Sequence, residues 1–212
     1  MVLFLMMALM ASAQDLVVCS YNIRNSNRGD DKNGNGWKTR YEYLCQQIEF
    51  EDPGLFGCQE VKKEQLDDMI ARMPEYAYVG VGRDDGKEGG EYSPVFYKKD
   101  RYVLLESGTF WLAEDPTKPV LGWDAACKRV CSWGHFRDKK TKHTFYFFNT
   151  HMDHIGVTAR REGAKVIVSK MRELMKKNAP VILTGDFNVD QTSEPYQVFT
   201  NSGFLKDCYV AA

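Results

Sequence analysis

Hydrophobic and polar positions along this chain follow two rhythms, one of period two and one near 3.6. Short runs rich in β-branched and aromatic residues, bounded by Gly, Pro, Asn or Asp, read as strands. They are "DLVVCSYNIR" (15–24), "LFGCQE" (55–60), "YAYVGVG" (76–82), "SPVFYKK" (93–99), "YVLLESGTFWLA" (102–113), "KRVCSWGHF" (128–136), "HTFYFFNTHMD" (143–153) and "PVILTGDFN" (180–188). The slower rhythm appears in "WKTRYEYLCQQIEF", where apolar or aromatic residues fall at 37, 41, 44 and 48 and "EDPG" ends the run. It predicts further helices over Lys63–Met73, over Val157–Lys177 and over Glu194–Asn201, the last closed by Gly203. "NSNRGDDKNGNGW", with its glycines and asparagines, reads as a loop.

Strands that arrive both singly between helices and in consecutive runs predict two packed sheets covered outside by helices. No linker-like stretch or internal repeat divides the 212 residues, so one domain is expected. The exception is the start, "MVLFLMMALMASAQ". A nine-residue apolar run followed by Ala11-Ser12-Ala13 fits the apolar segment and cleavage site of a secretory signal and is too short for a bilayer-spanning helix. The expectation is a signal over 1–13, a domain over 14–212, and export to the periplasm or the extracellular space. Six cysteines then meet an oxidising compartment. Cys19, Cys45 and Cys58 sit among apolar residues, as buried free thiols do, and Cys127 and Cys131 lack metal-knuckle spacing.

The formal net charge of −1 provides no field for nucleic acid or anionic membrane, and the paired lysines are scattered. The chemistry lies at strand ends. Counting alternate faces, Asp186 and Asn188 point one way with Phe187 opposite; Asn149, His151 and Asp153 share a face while Phe148 and Met152 take the other. Two more strands end in Asn22 and Glu60. Each feature alone has an ordinary explanation: an Asp-X-Asn turn, an acid at a helix start, a core histidine. Brought side by side, they make an oxygen-rich pocket suited to a hard divalent cation beside a phosphate.

As a set, "SYNIR", "DPGLFGCQEV", "YVGVGRDDGKEGGEYSPVFY", "FWL", "RVCSWGHF", "NTHMDH" and "LTGDFN" resemble the exonuclease/endonuclease/phosphatase superfamily, the deoxyribonuclease-I-like metal-dependent phosphoesterases. The "GRDDG…GEYSPVFY" segment is most similar to its bacterial exported branch. The resemblance implies an α/β (α+β) fold, a four-layer α/β/β/α sandwich of two mostly antiparallel sheets flanked by helices. It implies Mg2+, with Mn2+ an admissible substitute, held by Glu60 with Asn22 as ligand or neighbour. Asp186 and Asn188 would align the attacking water, and His151 would contact the scissile phosphate as electrophile or acid. Arg83 would hold a non-reacting phosphate oxygen, and one of Asp84, Asp85 or Glu91 would orient His151, with Asn149 and Asp153 as further supporting residues.

The family pattern closes with a Ser-Asp-His segment, and no Ser-Asp-His occurs here; the sequence stops at "DCYVAA". The expectation is a chain lacking its final strands and one catalytic histidine, with little or no activity. Its substrate is expected to be a phosphorylated small molecule, sugar or lipid head group. A nuclease is the runner-up, disfavoured by the missing basic stripe. A non-catalytic phosphate-binding module is a third reading. "NTHMDHIG" also approaches the His-X-His-X-Asp-His of metallo-β-lactamase-type zinc hydrolases, but Asn149 stands at the first histidine and only His135 and His143 remain as further imidazoles. A monomer with no stable membrane span is expected.

Overall fold

The computed structural model describes residues 16–212, so the expected signal lies outside the described residues. Eight strands form two four-stranded sheets. The first holds β1 (Val18–Asn22), β2 (Leu55–Gln59), β3 (Tyr76–Val79) and β4 (Val95–Lys98) in the order β1-β2-β4-β3. The second holds β5 (Tyr102–Trp111), β6 (Val130–Asp138), β7 (Thr144–His151) and β8 (Val181–Asp186) in sequential order. Most neighbours are antiparallel, but β1 pairs with β2 and β7 with β8 in parallel.

Three apolar clusters make the layers. Leu55, Val95, Phe136 and Phe147 pack between the sheets. On the outer face of the first sheet, Phe56, Cys58 and Phe96 meet Leu44, Cys45 and Ile48 of α2 (Trp37–Glu51) and Leu66 and Met69 of α3 (Lys63–Arg72). On the outer face of the second, Tyr146 and Phe148 meet Ala164, Ile167, Val168 and Met171 of α4 (Val157–Leu174) and Phe199 of α5 (Glu194–Thr200). The run "FYFF" at 145–148 therefore belongs to a strand buried on both faces, Phe147 toward the partner sheet and Phe148 toward α4. The result is the expected α/β/β/α sandwich.

Two short helices depart from the sequence reading. α1 (Arg28–Lys32) lies inside the expected loop, started by Asn27, whose side chain accepts a hydrogen bond from Asp30 N. α6 (Cys208–Ala211) is likewise capped by Asp207. The cysteines are all free thiols; Cys45 and Cys58 are buried as expected, while Cys19 is half-buried.

The two parallel pairs decide where chemistry can gather. Strands running the same way end at the same rim, so Asn22 lies opposite Gln59 and His151 opposite Asp186. Stacking β1 and β2 against β7 and β8 then brings all four ends to one cleft.

Candidate active site

A fully satisfied polar layer lies directly beneath that cleft. Asn149, completely buried, accepts at Oδ1 from Gln59 Nε2 (2.7 Å) and Thr184 Oγ1 (3.0 Å). Its Nδ2 donates to the carbonyls of Cys58 (2.7 Å) and Pro94 (3.0 Å). Gln59 Nε2 reaches on to Ser20 Oγ at 3.2 Å. One side chain thus ties β2, β4, β7 and β8, two residues below His151. Gly57 makes the close approach of the sheets feasible, because a Cβ there would overlap Asn149 Oδ1 and Thr184 Oγ1. Asn149 is a structural tie under the cleft, with its hydrogen-bonding capacity fully used.

In the cleft, Asn22 Nδ2 donates to Glu60 Oε1 and to Asp186 Oδ2, each at 2.9 Å. Asn22 Oδ1 accepts from Arg24 N at 2.9 Å, so Asn22 offers N–H groups to the two acids and holds them together, with its oxygen turned away. Glu60 Oε2 accepts from Asn25 N (3.0 Å) and Asn25 Nδ2 (3.2 Å). Burial raises the Glu60 carboxyl, but these amide hydrogen bonds and the neighbouring His151 outweigh it and hold it below the usual carboxylate range. Glu60 follows β2 in a left-handed conformation, φ 63°. A non-glycine residue in that region is strained, and such strain concentrates at functional positions.

His151 Nε2 stands 3.8 Å from Asp186 Oδ2, and its Nδ1 is buried without a hydrogen-bond partner. Burial first, then the Arg129 guanidinium, pushes His151 down to about 4 against the opposite pull of Asp186 and Glu60. The cleft's own groups accordingly favour the neutral ring of His151.

Several expected roles are corrected. None of Asp84, Asp85 and Glu91 orients His151. Asp85 caps its own loop through Lys87 N (2.8 Å) and Gly89 N (2.9 Å), and the carbonyl of Asp84 accepts from Lys128 Nζ at 2.7 Å. Glu91 pairs with Arg83 at 2.6 Å and accepts from Asn25 Nδ2 at 3.0 Å, which links Arg83 through Glu91 and Asn25 to Glu60. Asp153 does not share the cleft face. β7 ends at His151, and beyond it the Asp153 carboxylate turns to the backbone N–H groups of Ile155 (2.9 Å), Gly156 (2.7 Å) and Ala126 (3.1 Å), and to Arg129 Nε at 3.3 Å. Asn188 lies past the end of β8 at φ 51°, with Nδ2 on the Met152 carbonyl (2.9 Å) and its N–H on Asp186 Oδ1 (3.1 Å). It braces Asp186 from the turn rather than from the strand face. Phe187 does point to the core, edge-on to Phe199.

Zinc chemistry in "NTHMDHIG" finds no support. Donor atoms of Cys127, Asp153 and His154 lie within 4.8 Å of one another. Arg129 already occupies that place, with Nη2 2.8 Å from His154 Nδ1, and Asp153 is consumed by backbone donors. His135 is stacked on Tyr146 at 4.2 Å, in the second sheet. Two residues that act on the cleft escaped the sequence reading, Asn25 through Glu60 and Arg129 through its charge on His151. Asn25 was hidden in an asparagine-rich loop, although it stands three positions after Asn22. Arg129 was hidden in a basic pair at the head of β6.

The sequence pattern of the Endonuclease/Exonuclease/phosphatase family matches residues 19–209. The chain belongs to that family. Its members hydrolyse phosphoester bonds and typically depend on a divalent metal. A mannosyl-6-phosphatase of Bacteroides thetaiotaomicron is 51% identical with a TM-score of 0.90, over 92% of this chain and 74% of that one. A second endonuclease/exonuclease/phosphatase family protein of B. thetaiotaomicron is 50% identical with a TM-score of 0.85, over 89% and 69% of the two chains. The catalytic domain of human Nocturnin, solved with a sulfate anion, is 19% identical with a TM-score of 0.69, over 82% and 66%, and shares the fold. A curated relative, an uncharacterised protein of Acanthamoeba polyphaga mimivirus, is 29% identical over 106 residues, 44% of this chain; the match spans 15% of that protein's length. Among the described residues no helix is long and apolar enough to cross a membrane.

Proposed function

We propose that the chain is a divalent-metal-dependent phosphoesterase acting on a phosphorylated small molecule, a sugar phosphate foremost, outside the cytoplasm. The observation that carries this is the Asn22 amide nitrogen, which gathers Glu60 and Asp186 from different sheets at 2.9 Å each with His151 alongside. The donor set fits a hard cation: two carboxylates converge on one partly buried amide, and Glu60 is held ionised. Glu60 would hold Mg2+ or Mn2+, with Asp186 beside it. Such a cation supplies positive charge against the phosphoryl oxygens.

The chain's own groups account for the remaining work. Asp186, braced by Asn22 and by Asn188 N, takes the proton of the attacking water as its oxygen bonds to phosphorus, while the P–O bond to the sugar breaks and the departing alkoxide takes a proton from solvent water. His151, beside Asp186, is placed to donate a hydrogen bond to a phosphoryl oxygen, the electrophile role. Arg83 adds charge for a non-reacting oxygen. The preference for a sugar phosphate draws on the 51% identical mannosyl-6-phosphatase and on the near-neutral charge, which argues against several backbone phosphates.

The test is calorimetric titration of inorganic phosphate with and without magnesium, beside a turnover panel of sugar phosphates, bis-p-nitrophenyl phosphate and DNA. Magnesium-dependent phosphate binding that Glu60→Gln abolishes supports the reading. Turnover by these 212 residues is proposed to be slow, since they contain no Ser-Asp-His. Binding without any turnover, even after a Ser-Asp-His segment is supplied, would favour a binding module instead.

A further inference from the structure

A groove of about 290 Å³ opens beside the candidate site, between the first turns of α4 and α5 and the turn after β8. Topology places it on the same rim. β7 and β8 run parallel, so the turns leaving His151 and Asp186 lead directly into α4 and α5. Ligands of α/β proteins gather at such carboxyl ends of strands. Two bonds tie the groove wall to the turn that follows His151: Asn188 Nδ2 to the Met152 carbonyl at 2.9 Å, and Arg160 Nη1 to the Asp153 carbonyl at 3.0 Å.

The lining specifies a ligand class. Arg160 and Arg161 are offset by Asp190 and Glu194, so charge is balanced and a second phosphate gains nothing. Among the described residues no aromatic ring lines the groove, so there is no platform for a nucleobase. Charged and polar side chains surround an apolar wall that includes Val157, whose exposure is 65%. That combination suits a ring with many hydroxyls on its rim and a C–H face. The volume, at the small end for ligand pockets, admits one such ring.

We propose that this groove holds the polyhydroxylated, sugar-like part of the substrate whose phosphate sits among Glu60, Asp186 and His151. The proposal rests on the phosphoesterase reading. Arg161, 2.8 Å from Glu162 and 3.9 Å from Glu194, is the residue to perturb together with Glu194, because both are solvent-accessible and neither bonds the cleft strands.

The experiment measures affinities of the full chain with magnesium for two probes, mannose 6-phosphate and inorganic phosphate. The expected result is tighter binding of the sugar phosphate and an affinity ratio that falls about tenfold in the Arg161→Ala/Glu194→Ala variant, as lost hydrogen bonds imply. Val157→Trp, which fills the groove from an exposed position, should lower the same ratio. A ratio that neither variant moves, while phosphate still binds, overturns the groove and leaves the phosphoesterase reading standing. No magnesium-dependent binding of either probe would overturn both.

Discussion

Replacing Asn149 with leucine tests whether the polar layer holds the sheets in register under the site. Leucine keeps most of the volume, so the loss is of hydrogen bonds rather than of packing. Of the four partners, three retain something. Pro94 O still accepts from Cys58 N (3.1 Å), Gln59 Nε2 still reaches Ser20 Oγ (3.2 Å), and Thr184 Oγ1 still reaches Phe148 O (3.4 Å). Cys58 O loses its side-chain donor in a buried setting. One orphaned carbonyl and three weakened groups cost about 2–4 kcal/mol together. Urea unfolding at constant m-value reads that loss directly. The layer underlies both Glu60 and His151, so magnesium-dependent phosphate affinity should fall as well, under conditions where the variant remains folded. A stability change below about 0.5 kcal/mol, which is ordinary for a surface substitution, would refute the view that Asn149 ties the sheets. Lost stability with unchanged phosphate affinity would refute its link to the site.

Three further outcomes follow from the cleft. His151, at about 4, sits below the ~6.5 of an unfolded imidazole, so the unfolded chain takes a proton that the fold refuses. The associated stability is whole above pH 6.5 and is lost as pH falls toward 4, about 3 kcal/mol in all. Urea midpoints between pH 7 and 4 should show this limb in the parent and lose it in His151→Gln; equal slopes would contradict it. Arg83→Ala, which strips Glu91 of a 2.6 Å partner, should weaken phosphate binding roughly tenfold; unchanged affinity and turnover would remove Arg83 from the site. Glu60→Gly should be more stable than Glu60→Ala by about 1 kcal/mol, because only glycine adopts φ 63° freely, while both lose magnesium-dependent binding; equal unfolding free energies would mean that the backbone there stores no strain.

What the sequence could and could not reveal divides at the point where each strand's hydrogen-bond ladder stops. Alternation correctly sets Phe148 and Met152 against the helices and Asn149 and His151 against the partner sheet, because β7 is paired with β6 as far as Thr150 and with β8 as far as His151. Two residues later the same counting assigns Asp153 to the cleft, and it fails: without a ladder to hold it extended, the chain turns and backbone N–H groups capture the carboxylate. Asn188 illustrates the same limit at φ 51°, close to the site yet not on the face that alternation assigns. Helix α1 escaped for a related reason. Its five residues have weak intrinsic propensity, and it is held by the Asn27 cap and the Arg24–Asp30 pair, not by an apolar stripe. Nor does periodicity report pairing direction. Nothing local in β1, β2, β7 or β8 says that two pairs are parallel, yet that direction alone carries Asn22, Glu60, His151 and Asp186 to one rim. Arg129 and Asn25 are the consequence, since their roles arise from what the rim brings beside them. Period-two reasoning therefore recovers the residues that strands present and misses those that turns supply, and a rim built at the ends of four strands needs both.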